Sequence, residues 1–110
     1  MPYDQELAVR IRRMIGDEPG LTEVKMFGGL AFLIHGNMSV SASGQGGLLL
    51  RVDPDQTDAL LDEPYAESFV MRGRAMDGWL RVGAEGVVDD EPLERWVRRG
   101  IDYARSLPPK

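Results

Sequence analysis

Apolar residues recur every three or four positions at both ends of the chain, which predicts a helix at each end. The first helix runs from Asp4, a residue type that caps helix N-termini, to about Ile15. Its apolar stripe consists of Leu7, Ile11, Met14 and Ile15. The last helix is opened by the acidic residues 89–91 and by Pro92, and it continues to about residue 107. Its buried face consists of Leu93, Trp96, Val97, Ile101, Ala104 and Leu107.

The middle of the chain has short apolar runs and alternating positions instead, both of which are typical of strands. The first three predicted strands span residues 22–27, 30–35 and 38–43. Gly28 and Gly29 form a corner after the first strand, and Gly36 with Asn37 forms a tight turn after the second. The second strand is almost entirely apolar, so we expect it to be covered on both faces.

Beyond residue 43 the pattern predicts further strands around one short helix. A fourth strand covers residues 48–52, after which Asp53 and Pro54 open a helix to about residue 61. Residues 75–82 form a regular strand, whereas residues 69–71 suit either a short strand or a loop.

This order of elements predicts an α+β fold in a single domain spanning residues 1–110. We expect an antiparallel sheet of about five strands with N-terminal and C-terminal helices and a short middle helix. Gly100 lies within the last helix, where glycine costs about 1 kcal/mol relative to alanine, and we expect it to let the helix approach the sheet closely. Arg10 and Arg98 each follow a glutamate by four positions, the spacing of an ion pair within a helix.

Composition narrows the classes of function. Hydrophobic residues make up 43% of the 110, which is typical of a soluble globular protein, and no apolar run approaches a membrane helix. The net charge of −5 counts against nucleic acid as a partner, because such binding neutralises phosphates with Lys and Arg. The chain has no cysteine, which excludes disulfides and thiolate chemistry. Since the sequence has no signal-peptide pattern, we expect a cytoplasmic protein with no membrane contact.

Arg72, Arg74 and Arg81 form the main basic group in the sequence. Arg72 and Arg74 flank a glycine, so their side chains can converge on an anion or on a carboxylate of a partner. The alternative is that all three pair with some of the 18 acidic residues on the surface. We treat them as candidate interaction or anion-binding residues.

The other polar residues suit structural roles. His35 is the only histidine, and a metal site or a catalytic triad with Ser39 or Ser41 has no motif to support it, so we expect a structural histidine. Gly28 and Gly29 lack the lysine and the spacing of a phosphate-binding loop. Residues 89–91 suit helix capping better than cation binding. We therefore predict no catalytic residue, no metal site and no cofactor.

Two blocks of sequence carry a resemblance to a known family. The first is KMFGGLAF at residues 25–32, followed by GNM at residues 36–38. The second is FVMRGRAMDGW at residues 69–79, followed by ERWV at residues 94–97 and YARSLPPK at residues 103–110. Together they resemble the N-terminal domain of the TfoX/Sxy family, bacterial regulators of natural competence. The resemblance implies a single-domain member with an α+β fold similar to small secretion chaperones, and it supplies no catalytic residues.

Three hypotheses of function follow from these observations. We expect a non-enzymatic regulatory module for protein interaction, linked by the resemblance to transcription or competence. We expect it to be a homodimer, since pairing of two chains would cover an open sheet edge, and to bind an unidentified protein partner. The alternatives are weak nucleic-acid binding, and a small-ligand site or enzyme with a cleft near Arg72, Arg74 and His35.

Overall fold

The computed structural model describes residues 4–26 and 28–109. Within them, the helices are α1 (Gln5–Ile15), α2 (Thr57–Leu61) and α3 (Asp90–Ser106), with short 3₁₀ turns at Pro54–Gln56 and Ala84–Val87. The strands are β1 (Leu21–Met26), β2 (Gly29–Ile34), β3 (Asn37–Ala42), β4 (Leu48–Arg51), β5 (Ala66–Met71) and β6 (Arg74–Val82). The α+β class is confirmed, with six strands in the described residues where about five were predicted. Phe27, predicted to end the first strand, lies outside the described residues.

All six strands belong to one antiparallel sheet in the order β1-β2-β3-β4-β6-β5. The strands β1 and β5 therefore form its two edges. Residues 69–71, which suited either a short strand or a loop, belong to the edge strand β5. This strand pairs with β6 from Ala66 opposite Val82 to Met71 opposite Arg74. Its sequence pattern is weak because it is bounded on one side by solvent and because its register with β6 shifts between Ser68 and Val70.

The turn between β2 and β3 lies one residue earlier than predicted. Its central residues are His35 and Gly36, with φ of 49° and 85°, and Ile34 pairs with Asn37 across it. Positive φ at both central positions is the geometry of the tight turns that suit the twist of a hairpin. Asn37 is instead the first residue of β3, where it is buried and donates a hydrogen bond to the Pro108 carbonyl at 2.9 Å.

The helices α1 and α3 cover one face of the sheet and enclose the main core with it. Asp4 caps α1 as predicted, since its carboxylate accepts a hydrogen bond from the Leu7 amide at 3.1 Å. The largest fully buried side chains in this core include Trp96, Phe32, Ile11, Leu50 and Ile101. Gly100 lies where α3 crosses β3, so close that a Cβ there would be 2.7 Å from the Ser39 carbonyl oxygen. The predicted close approach of helix and sheet at Gly100 is confirmed.

Arginines on both long helices connect elements that are distant in the sequence. Arg10 of α1 donates to the carbonyl oxygens of Val87 and Val88 at 2.8 and 3.0 Å, and to the carboxylate of Asp90 at 2.9 Å. Arg98 and Arg105 of α3 both donate to the carboxylate of Glu18, at 3.2 and 2.7 Å. These contacts fix the loops at the ends of the helices to the body of the domain.

The Glu18 cluster predicts an acid-dependent loss of stability. Hydrogen bonds from Arg105 and Arg98 lower the pKa of Glu18 below its ordinary value of 4.5. The unfolded chain therefore takes up the proton first as pH falls, so the contribution of Glu18 is complete above about pH 4.5 and is lost below it. We expect Glu18→Gln to cost about 0.5–1 kcal/mol at pH 7 and to flatten the decline of stability between about pH 5 and 3.

Urea denaturation at a series of pH values measures this effect. The change Glu94→Gln, at an exposed position on α3, serves as the control and should leave the acid slope as in the wild type. A slope in Glu18→Gln as steep as that of the wild type would show that the Glu18 contacts do not contribute.

Candidate interaction surface

The sheet has a second apolar cluster on the face opposite α1 and α3, which we call the outer face. Its buried members are Ala31, Met38 and Leu49, and its partly buried members are Met26, Leu33, Phe69 and Trp79. All of these residues lie on strands, and no described helix residue belongs to the cluster. The sequence predicted that β2 would be covered on both faces, and its residues are indeed buried or half-buried throughout. On the outer face, however, the cover comes from neighbouring side chains of the sheet itself.

Every strand contributes a large apolar side chain to the outer face, and the small side chains Ala31 and Ser41 lie on β2 and β3. Strand pairing aligns Val24, Ala31, Ser41, Leu49, Arg81 and Glu67 in one row across all six strands. The rings of Phe69 and Trp79 contact each other beside this row, with centroids 6.3 Å apart. The outer face therefore has a buried apolar centre with half-buried large apolar side chains around it.

A guanidinium group is held at the border of the outer face. The guanidinium carbon of Arg51 lies 5.5 Å from the centroid of the Trp79 ring and 5.7 Å from that of Tyr103. Contact with two aromatic rings keeps the charge in place without neutralising it. A carboxylate of a bound partner can therefore pair with Arg51 at the edge of the apolar centre.

The β5–β6 hairpin extends beyond the sheet as an arm, residues 70–77. The strand β4 pairs with β6 only as far as Arg51–Trp79, so the arm lies past the end of β4. Its exposed residues are Val70, Arg72, Gly73, Arg74, Ala75, Met76 and Asp77. The arm thus presents apolar and cationic side chains together in solvent.

Two of the three candidate arginines lie together on this arm. Arg72 and Arg74 flank Gly73 at its tip, are exposed, and make no ion pair within the described residues. Arg81 lies seven positions further along β6, or about 23 Å of extended strand. It donates to the Gln45 side-chain oxygen at 3.0 Å and to the Gly46 carbonyl at 2.9 Å. Arg81 therefore holds the β3–β4 loop and is separate from the pair at the tip.

Arg72 occupies a backbone position that suits other residues better. It and Gly73 are the central residues of the turn, with φ of 54° and 78°. Glycine and asparagine adopt such values far more readily than arginine, so Arg72→Asn should stabilise the protein by about 0.5–1 kcal/mol. Thermal denaturation measures the effect, with Arg74→Asn as the control because Arg74 lies in the strand. A loss of stability in Arg72→Asn would mean that the arginine side chain stabilises the turn.

The remaining sequence candidates are dispersed over the fold. His35 is exposed in its turn, where its ring contacts Gly20, whereas Ser39 is buried and donates to the Phe32 carbonyl at 2.6 Å. Ser41 is also buried, on β3. Among the described residues, no group of three or more histidine or carboxylate side chains is placed to hold a metal ion. The structure thus does not bring His35 and the serines together.

The acidic residues at the start of α3 differ in their contacts. Asp89 is the N-cap residue by position but its side chain makes no capping hydrogen bond, whereas the carboxylate of Asp90 pairs with Arg10 at 2.9 Å.

A cleft of about 340 Å³ lies between the end of β4 and α3. It is lined by Val52, Asp53, Gln56, Arg99, Asp102 and Tyr103. Arg99 is paired with Glu63 at 2.7 Å, and this cleft contains neither arginine of the arm.

The outer face was not predicted from the sequence as an interaction surface. Trp96, predicted to lie on the buried face of the last helix, is 2% exposed in the main core. Trp79, by contrast, is half-buried on the outer face. The sequence of β2 contained a signal of this face. Ala31 and Leu33 are apolar as well as Phe32 and Ile34, so both faces of the strand are apolar.

Comparison with known proteins places this fold in a family. The model of the TfoX N-terminal domain matches residues 13–104 of the chain, which includes every described strand, the last three residues of α1 and most of α3. No match was found among curated proteins or among solved structures. None of the described helices is both long and apolar enough to cross a membrane. The chain belongs to the TfoX N-terminal domain family.

Proposed function

We propose that this domain is a non-enzymatic regulatory module that binds a protein partner through the outer face and the arm. The observation that carries the proposal is the apolar cluster on a sheet face that no described helix covers. The half-buried members of the cluster, Met26, Leu33, Phe69 and Trp79, present apolar area to solvent around the buried ones. Grouped apolar area on a protein surface is typical of an interaction site. Membership of the TfoX N-terminal domain family is consistent with a regulatory role.

The size of the surface supports a protein partner. Six strands spaced about 4.8 Å apart place the axes of the edge strands β1 and β5 about 24 Å apart across the outer face. Exposed apolar side chains continue the surface at both edges of the sheet. They are Val24 on β1, 41% exposed, and Met76 on the arm, 38% exposed. A partner seated here would remove them from water.

The charges indicate the chemistry of the partner. Arg51, Arg72 and Arg74 lie around the β5–β6 side of the surface, although the chain as a whole carries a net charge of −5. We infer a partner segment with apolar residues that contact the sheet and carboxylates that pair with these arginines. The phosphate groups of a nucleic acid would also pair with the arginines, but the negative net charge of the chain would repel them.

Affinity capture with matched variants tests the proposal. Arg72→Glu with Arg74→Glu reverses the charge of the arm, and Arg13→Glu with Arg95→Glu makes the same change of charge at exposed positions on α1 and α3. We expect the arm variant to lose a partner that the helix variant and the wild type both retain. The partner is then purified, and its dissociation constant should rise at least about tenfold for the arm variant, as loss of two charged contacts implies.

Two results would contradict the proposal. Partners that bind the wild type and the arm variant equally would exclude the arm from the interface. Salt-sensitive binding of duplex DNA, lost in the arm variant, would assign the arginines to nucleic acid instead.

A further inference from the structure

The two edges of the sheet differ in how readily they accept another strand. An edge strand presents a row of unpaired N–H and C=O groups that a strand of another chain can bind. The strand β5 forms an irregular edge, because its register with β6 shifts between Ser68 and Val70, where β6 has three more residues than β5. The strand β1 pairs with β2 in unbroken register over all six residues. Its outer side is thus a regular edge.

The sequence of β1 is complementary to itself. In LTEVKM, the acidic Glu23 and the basic Lys25 lie symmetrically on either side of Val24. In an antiparallel pair of two such strands centred on Val24, Glu23 of each chain lies opposite Lys25 of the other. Thr22 then lies opposite Met26, and the two Val24 residues lie opposite each other. The edge strand β5 has Glu67 as its only charged residue and offers no such symmetry.

We propose that two copies of this chain form a dimer by antiparallel pairing of their β1 strands in this register. The exposed side chain of Val24 would be covered by that of the second copy, which accounts for an exposed valine on an edge strand. The product would be a continuous sheet of twelve strands, with the outer faces of both copies on the same side.

The contacts already made by Glu23 are compatible with this pairing. Its two carboxylate oxygens accept hydrogen bonds from Arg12 at 2.7 and 2.8 Å, and these hydrogen bonds lower the pKa of Glu23. A carboxylate has about four acceptor sites, so Lys25 of the second copy can bind the same group. Lys25 is exposed and makes no ion pair within the described residues.

This inference goes beyond the proposed function and does not depend on it, since a dimer can form whether or not a partner binds the outer face. The proposed function in turn does not require a dimer. Sedimentation of the purified chain measures only the dimer, and capture of a partner measures only the proposed function.

Cysteine cross-linking tests the register directly, because the chain has no cysteine of its own. In Val24→Cys the two introduced thiols would lie directly opposite each other, within the range that a disulfide spans. In the control Thr22→Cys the two introduced thiols would be offset by four residues along the paired strands, about 13 Å, which is too far for a disulfide. Under mild oxidation we expect Val24→Cys to form covalent dimers at least about tenfold faster than Thr22→Cys.

Charge reversal gives a second, independent measurement by sedimentation. Lys25→Glu alone and Glu23→Lys alone each place like charges opposite each other and should weaken the dimer at least about tenfold. A mixture of the two variants restores both attractive pairs and should form a one-to-one heterodimer. A monomeric wild type at high concentration, equal cross-linking rates, or no heterodimer between folded variants would overturn the proposal. If both single variants still formed dimers as strong as those of the wild type, another surface would form the contact between the two chains.

Discussion

Gly100→Ala should destabilise the domain by about 2 kcal/mol, although alanine is the better helix former. A Cβ at this position would lie 2.6 Å from Cγ1 of Val40 and 2.7 Å from the Ser39 carbonyl oxygen. The valine is fully buried and the carbonyl belongs to a central strand, so neither can move without shifting α3 or β3. Overpacking of this kind costs about 1–3 kcal/mol and exceeds the gain of about 1 kcal/mol in helix propensity.

Urea denaturation of Gly100→Ala and of Gly83→Ala measures this difference. Gly83 has φ of −59°, and a Cβ there would meet no atom within 4 Å, so its replacement should be neutral within about 0.5 kcal/mol. If Gly100→Ala were as stable as the wild type or more so, α3 and β3 would not be in close contact at this position.

Leu50→Ala should cost about 3–4 kcal/mol, whereas Leu49→Ala should cost about half as much. The two leucines are neighbours on β4 whose side chains lie on opposite faces of the sheet. Leu50 is fully buried between the sheet and the helices, so its truncation leaves a cavity that the surrounding structure cannot fill. Leu49 belongs to the outer cluster, where partly exposed side chains such as Trp79 can move into the vacated space.

This pair of variants distinguishes a closed core from an open surface. Both variants make the same chemical change, and both are measured by the free energy of unfolding in urea. Equal losses would indicate that the outer face is as tightly enclosed as the helix side, which would leave no apolar surface for a partner. An outer face that is open to a partner requires a smaller loss for Leu49→Ala.

The architecture could be predicted from the sequence because its signals are local. The apolar stripes of α1 and α3 and the Asp4 cap each depend on residues within a few positions. The hairpin turn was placed one residue too late because glycine and asparagine are both common in turns. His35 takes the position with positive φ, and the burial of Asn37 against the C-terminal segment is a long-range contact.

The contacts of charged residues could not be predicted because they join distant parts of the chain. Arg10 and Arg98 were expected to pair with glutamates one turn away, the spacing that favours local ion pairs. In the described residues they bind Asp90 and Glu18, which are 80 positions away in both cases. The separation of Arg81 from Arg72 and Arg74 has a similar cause, since Arg81 donates hydrogen bonds to the β3–β4 loop.

Photo-cross-linking of the intact chain tests the central claim, that partners bind through the outer face and the arm. A benzophenone amino acid replaces Val70 on the arm in one variant and Val88, before α3, in the other. The two valines are similarly accessible, 57% and 68% exposed. We predict that irradiation in cells joins a protein to position 70 and not to position 88. Adducts at position 88 alone, or at both positions equally, would contradict the claim.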